Sequence, residues 1–317
     1  MNAEKQISTI PAEFAGLRLD QALARMFPEY SRSRLKEWLL AGAISVDGGP
    51  KKPRDAVSGG ETVVMQPQAQ VSVRAEPEAI SLEIVHEDDH LLVVNKPAGL
   101  VVHPGAGNPA GTLMNGLLHY VPALEEIPRA GIIHRLDKDT SGLLLVAKSL
   151  TAHTALVRLL ADREISRHYL AVCNGALTGG STIREPIGRH PTDRKRMSVQ
   201  QSGKPAVTHF TVKERFTAFT YVNVQLETGR THQIRVHFAH RRHALVGDQV
   251  YGGRLALPKG ASEELIQVLR HFKRQALHAT RLAFQHPSSG EAIDLEAAPP
   301  KDFQQLIEVM RRDASRG

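Results

Sequence analysis

Gly131-Ile-Ile-His-Arg-Leu-Asp-Lys-Asp-Thr-Ser-Gly-Leu-Leu-Leu-Val-Ala-Lys148 decides how the rest of this 317-residue chain is read. Five of the seven side chains from His134 to Thr140 are ionisable. An apolar run from Leu143 to Ala147 follows at once, with the length and composition of a buried strand. Mixed charge in a turn is ordinarily solvated surface, whereas a loop at a strand mouth is also where a rigid scaffold displays catalytic groups. Here His134, Arg135 and Asp137 are threaded between Ile132, Ile133 and Leu136, which favour burial. Charges carried into such a setting need partners, so the loop is a candidate site, with Asp137 and Asp139 as its carboxylates.

Several chemistries are disfavoured. His-Arg-Leu-Asp also occurs in kinase catalytic loops, but no Asp-Phe-Gly triplet, nucleotide-covering glycine loop or Val-Ala-Ile-Lys strand accompanies it. The stretch Gly105 to Gly111 lacks the Lys-Ser/Thr of a triphosphate loop and the dinucleotide spacing. It reads as a loop whose Thr112 caps a helix from Leu113 to His119, and no nucleotide cofactor is implied. His232 and His237 miss the four-residue spacing of a helical zinc pair, and Cys173 is the lone cysteine, so neither a metal site nor a disulfide framework is expected. A hydrolase using His134 and Asp137 as acid and base would want a serine or cysteine nucleophile at a recognisable elbow, and none is apparent.

The net charge of +7 favours a polyanionic partner, of which nucleic acid is the commonest large one. The N-terminus has no apolar leader, and no run approaches the roughly 18 apolar residues of a membrane span. The expectation is a soluble, cytoplasmic protein.

Near the N-terminus, Leu19, Ala22, Leu23, Met26 and Phe27 form a helical stripe that Pro28 ends. Ser31 or Ser33 can cap a second helix with Leu35, Trp38 and Leu39 on its inner face and Gly42 as its stop. Strands are expected at Ala43 to Val46 and Glu61 to Met65. This helix-helix-strand order resembles the small RNA-binding fold named after ribosomal protein S-four. From Pro11 to Gln66 there are eight Lys or Arg against seven Asp or Glu, so RNA contact would depend on clustering of Arg32, Arg34, Lys36, Lys51 and Lys52 on one face. A polar, proline-bearing linker spans Gln66 to Glu78, and the boundary is placed between domains 1–75 and 76–317.

In the larger domain strands are expected at Leu82 to Val85, Leu91 to Asn95, Leu100 to His103, His168 to Val172, Ala206 to Phe216 and Tyr221 to Leu226. Helices are expected from Thr151 to about Asp162, from a Thr231 cap to His240, near Ser262 to Phe272, and from Lys301. Gln275 to Leu295 reads as a hairpin, and Arg184 to Arg196 as an arginine-rich loop that could meet phosphates.

His-Arg-Leu-Asp-Lys-Asp-Thr-Ser-Gly, joined in order by Arg-His-Tyr-Leu-Ala-Val and Leu-Glu-Thr-Gly-Arg-Thr-His-Gln-Ile-Arg-Val-His, resembles the RluA/RluD family of pseudouridine synthases. Asn95 to Gly105 and Val246 to Gly253 match as well, so the likeness covers nearly the whole chain. It implies an α+β pseudouridine synthase fold, with a mixed, largely antiparallel central sheet flanked by helices, behind an S-four-like domain. It implies isomerisation of specific uridines in large-subunit ribosomal RNA, free or in pre-ribosomal particles, by a monomer without cofactor or metal. By the resemblance, Asp137 is the catalytic aspartate, Arg235 pairs with it, Tyr169 packs on the target base, and Arg135 fills the gap left in the RNA. His134, Arg230, Thr231, His232 and Gln233 are expected around the substrate. Ala244 and Gln249 stand where relatives often have proline. The competing expectation is a non-catalytic RNA-binding ribosome-assembly factor.

Overall fold

The structure, a computed structural model, describes residues 6–28, 30, 32–66, 75–105, 107–193, 195–255 and 257–316, apart from the side chains of Ser33 and Arg34. The chain divides into two compact units, Met1–Arg74 and Ala75–Gly317. Ser31, most of the 66–78 linker and the Arg34 side chain lie outside the described residues.

The first unit runs β1 (Gln6–Thr9), α1 (Leu19–Met26), α2 (Arg32–Leu40), β2 (Ile44–Val46) and β3 (Thr62–Met65), with an antiparallel sheet in the order β1-β3-β2. The two helical stripes meet the sheet in one core: Leu19, Ala22, Leu23, Leu35, Trp38 and Leu39 are buried with Ile44, Val46, Val63 and Met65. Gly42, at φ +76°, takes the left-handed turn that stops α2, and Ala43 N–H bonds back to the Trp38 carbonyl. β1 was not expected, because its Gln-Ile-Ser-Thr is largely exposed and has no apolar alternation to betray it.

The second unit runs β4 (Ile84–Glu87), β5 (Leu91–Lys96), α3 (Leu113–Tyr120), β6 (Ser141–Ala147), α4 (Leu150–Ala161), β7 (Ser166–Asn174), β8 (Ser181–Arg184), β9 (Ile187–Arg189), β10 (Met197–Val199), β11 (Val207–Arg215), β12 (Phe219–Leu226), α5 (Gln233–His240), α6 (Glu263–His271), β13 (Leu277–Gln285), β14 (Ala292–Glu296) and α7 (Lys301–Ala314). Nine strands form one sheet in the order β4-β5-β6-β13-β7-β12-β11-β8, with β14 added along β13. Every pairing is antiparallel except β6 with β13.

Alternation along the central strands assigns each side chain to a face. Leu92, Val94, Leu144, Val146, Tyr169 and Ala171 share a core with α3 and α5. Leu170 and Val172 turn to α6 and α7, and Leu91, Val93, Leu143 and Leu145 turn to α4. The 133–140 loop thus descends onto the sheet, with Leu136 in the α3/α5 core and Ile133 on the α4 side.

Four local expectations are corrected. Leu100 to His103 forms no strand, because the Val101 and Val102 carbonyls accept from Leu113 and Met114 N–H and so satisfy the first turn of α3. The helix expected from Thr151 starts one residue earlier, at Leu150, where Ser149 caps it by accepting Ala152 N–H at 3.1 Å. The arginine-rich segment is not all loop: it contains β9, which pairs with β10 just beyond it as a separate ribbon. Thr231 does not cap α5: the helix begins at Gln233 after His232, which stands in the left-handed region at φ +58°.

At the parallel junction Gly142 faces Ala279 with φ +114°, and a Cβ there would lie on the Ala279 carbonyl oxygen. Gly142→Ala is expected to cost at least about 2 kcal/mol of stability, read as a lower urea midpoint. An unchanged midpoint would show that β6 and β13 can separate freely.

Candidate active site

The 137–140 loop is fastened from below. Thr140 N–H bonds the Asp137 carbonyl at 3.1 Å, and the Lys138 carbonyl accepts from Gly99 N–H at 2.9 Å. Lys96, at the end of β5 and fully buried, donates from Nζ to the carbonyls of Pro97, Leu100 and Lys138 at 2.8, 2.9 and 2.9 Å. Three acceptors match the three protons of an ammonium group. His134 Nε2 accepts Leu145 N–H at 3.2 Å, joining the start of the loop to β6. Burial and the nearby Arg167 push His134 down to about 3, so it is a neutral imidazole.

Arg235 comes to the loop from α5. Its Nε and Nη2 donate to Asp248 Oδ2 and Oδ1 at 2.7 and 2.9 Å, a bidentate fork that leaves Nη1 to reach Asp137 Oδ2 at 2.9 Å. The Asp248 side chain is fully enclosed, Arg235 is 6% exposed and Asp137 14%. Burial alone would lower the Arg235 pKa; the Asp248 hydrogen bonds and the charges of Asp137 and Asp248 outweigh it and hold the guanidinium above its usual value. Burial likewise opposes ionisation of Asp248, but Arg235 and the N–H groups of Tyr251 and Val250 bring its carboxyl below the usual range.

The Arg235 guanidinium lies 5.0 Å from the Tyr251 ring centre. Tyr251 Oη accepts Met197 N–H at 2.9 Å and is hydrogen-bonded to His232 Nδ1 at 2.8 Å. The other ring nitrogen, Nε2, lies 3.8 Å from Asp137 Oδ1. Burial, joined by the positive charges of Arg235 and Arg135, lowers the His232 pKa despite Asp137 and favours the neutral ring. Asp137 Oδ2 is therefore committed to Arg235, while Oδ1 has no hydrogen bond among the described residues and faces a cleft of about 870 Å³.

Asp137, Tyr169, Arg235, Arg135, His134, Arg230, Thr231, His232 and Gln233 all line that cleft. Tyr169 reaches it from the buried face of β7; burial raises its phenol pKa, so the ring enters as a neutral plane. Arg135 is exposed at the cleft. The Gln233 side chain, besides lining the cleft, is bonded within the chain: its amide oxygen accepts from Thr228 Oγ1 and Arg230 N–H, and its amide nitrogen donates to Val207 O and Thr208 Oγ1. It thereby braces the 228–230 turn. In the first unit Lys36, Lys51 and Lys52 are exposed, but Arg32 donates to Asp20 at 2.8 Å and shares that carboxylate with Arg18.

Asp248 and Lys96 escaped the sequence reading as site residues, although both stand in quoted motifs; nothing in either motif says which side chain turns inward. Asp139, the rival carboxylate, does not meet Arg235, and its carbonyl lies 3.4 Å from Arg274. No group of His, Cys, Asp and Glu among the described residues could hold a metal ion.

A carboxylate with one oxygen fixed by an arginine and the other open to a cationic cleft is a site for chemistry on an anionic substrate. Residues 90–240 match the family described as RNA pseudouridylate synthase, and residues 17–63 match the S4 domain. The chain belongs to this pseudouridine synthase family. It is 56% identical to ribosomal large subunit pseudouridine synthase D of Salmonella typhimurium over 96% of this chain and 94% of the relative, and 54% identical to the protein of that name from Xanthomonas campestris over 98% and 93%. Among solved structures, human RNA pseudouridylate synthase domain containing 1 superposes with a TM-score of 0.54 at 26% identity, covering 77% of this chain and 98% of that one. Human RNA pseudouridylate synthase domain containing 4 has a TM-score of 0.57 at 24% identity, covers 72% and 93%, and shares the fold.

Two measurements probe the supports of this site. Asp248→Asn removes the anion that holds the Arg235 fork and is expected to destabilise the protein by about 3 kcal/mol in urea unfolding, the scale for breaking a buried pair. A loss under about 0.5 kcal/mol would make that ion pair dispensable. For Lys96, burial outweighs Asp139 and Asp137 and lowers the pKa from 10.5 to about 7. The folded state then binds fewer protons than the unfolded chain between about pH 7 and 10.5, so the cost of burying Lys96 is complete below that window and fades as pH rises. The stability of Lys96→Met relative to wild type should accordingly fall from pH 7 to 10 in denaturant titrations, and parallel curves would refute the linkage.

Proposed function

We propose that this protein isomerises uridines in large-subunit ribosomal RNA to pseudouridine, with Asp137 as the group that meets the reacting nucleotide. The observation that carries this reading is the Asp137 carboxylate in the lining of the cleft, held by Arg235 through Oδ2 and with Oδ1 free of hydrogen bonds among the described residues. Family membership supplies the reaction; the residue roles are those the resemblance implies, and the Asp137–Arg235 pair in the cleft supports them.

Uridine and pseudouridine have the same composition. The C1'–N1 bond breaks, the base turns, C1' joins C5, C5 gives up its proton, and N1 gains one. A stacked base hides these atoms, so the nucleotide must leave the helix at a cost of a few kcal/mol. Stacking on Tyr169, worth about 1–3 kcal/mol for a base on an aromatic ring, offsets part of that cost. Arg135, planar, cationic and exposed at the cleft, occupies the space the base vacates. Arg230, Thr231 and His232 face the nucleotide, and His134 holds the loop on β6.

The N-terminal unit supplies non-specific RNA affinity through Lys36, Lys51 and Lys52, with Arg32 and Arg34 adding to the charge of α2. Among the described residues no helix is long and apolar enough to cross a membrane. The reading is of a cytoplasmic monomer acting on ribosomal RNA or on pre-ribosomal particles, supported by the names of its relatives and by the net charge of +7.

Asp137→Asn should reduce pseudouridine formation more than about 1,000-fold while RNA affinity stays within a few-fold of wild type. The check is chemical mapping of pseudouridine in large-subunit ribosomal RNA from cells that carry only the variant. Undiminished conversion would overturn the role of Asp137 and return the protein to the RNA-binding assembly factor reading.

A further inference from the structure

Arg167 lies on β7 two residues before Tyr169, so both side chains leave the same face of the strand and both line the cleft. It is 6% exposed and sits between Leu226 on β12 and Leu282 on β13, neither of which offers a polar group. Its Nε is enclosed and has no hydrogen-bond partner among the described residues, and no carboxylate among them forms an ion pair with its guanidinium. A buried cation without an anion is unfavourable unless something outside the chain supplies one.

The surroundings make room for that anion rather than provide it. The carboxylates that line the cleft, Asp137 and Glu227, are engaged by Arg235 and by Arg163 at 2.9 and 2.6 Å. Gly229 borders the Arg167 head so closely that a Cβ would come within 2.8 Å of Nη1, so any side chain there would push the guanidinium aside. A second buried atom of the cleft wall, His103 Nε2, also lacks a partner among the described residues. Burial, with Arg129 and Arg135, pushes His103 down to about 4, so it adds no competing charge.

We propose that Arg167 binds a backbone phosphate of the RNA beside the extruded nucleotide, holding the sugar while Tyr169 holds the base. The proposal rests on the RNA-modifying reading of the cleft and adds to it a substrate-binding residue. Phosphate supplies the missing negative charge, and its oxygens accept the paired N–H bonds a guanidinium offers. A base carbonyl would leave the charge uncompensated.

The test uses the full-length protein and an unmodified in vitro transcript of large-subunit ribosomal RNA. Arg167→Gln should weaken binding about 10- to 100-fold at low salt and flatten the slope of log Kd against log salt by about 0.7 to 0.9, the loss of one phosphate contact. Arg167→Lys should keep the slope. Because the guanidinium has no ion-pair partner among the described residues, the Arg167→Gln melting temperature should equal or exceed that of wild type, whereas a structural arginine would lower it. Gly229→Ala, which crowds Nη1, should weaken binding in the same direction and decides the matter if Arg167→Gln does not fold. An unchanged salt slope in a folded Arg167→Gln, or wild-type affinity in Gly229→Ala when Arg167→Gln does not fold, overturns the proposal. Pseudouridine formation by wild type on the same transcript is the control, because its absence would sink the reading of the cleft while the salt slopes still report on Arg167.

Discussion

The ion relay from Asp248 through Arg235 to Asp137 is the interaction on which the site depends. It joins three pieces of chain: the turn after residue 247, helix α5, and the loop ahead of β6, which is 98 residues from Arg235 in sequence. Each member would be unfavourable alone, since a buried charge without a counterion costs several kcal/mol. Together they hold the guanidinium in one orientation, because Asp248 takes two of its edges and Tyr251 lies against its face. Of the three N–H groups the fork leaves over, one on Nη1 ends on a single oxygen of Asp137. The other oxygen has no hydrogen bond among the described residues, with His232 Nε2 3.8 Å away.

That arrangement needs a stiff platform, which the sheet provides. Its central strands are apolar on both faces, so they cannot shift register without moving whole rows of side chains from one core to another. Lys96 and His134 extend the same rigidity to the loop, one through backbone carbonyls and the other through the Leu145 N–H. The cleft above is unlike the platform: it is cationic and open, with polar atoms left for a partner. Stability and recognition are thus divided between the two sides of one loop.

The strands and helices that build the core were readable because burial imposes a period on the sequence. The run Leu143 to Ala147 and the stripe Leu19-Ala22-Leu23 are buried where their spacing places them. Elements without such a period were missed or misread. β1 is an exposed edge, and Leu100 to His103 has strand-like residues whose carbonyls are taken by the first turn of α3. The start of α5 was misplaced for a related reason: Thr231 has the chemistry of a cap, but His232 adopts a left-handed conformation that composition does not announce. Arg167 gave a signal only in hindsight, as an arginine at an inward position of a buried strand.

By itself the sequence determined the class of the protein, since three ordered motifs and the charged loop before an apolar strand restrict the chemistry before any coordinates exist. It also determined which residue types were available: one cysteine, an excess of cations, and a carboxylate set among isoleucines and leucines. Only the tertiary structure decided which of these act together. It chose Asp137 over Asp139 as the partner of Arg235, brought in Asp248, bonded Gln233 to the 228–230 turn, and left Arg167 without a carboxylate among the described residues. The physical reason is that periodicity encodes which face of an element is buried. The pairing of charges depends on distances of a few ångströms between segments far apart in the chain, and those distances exist only once the sheet has formed.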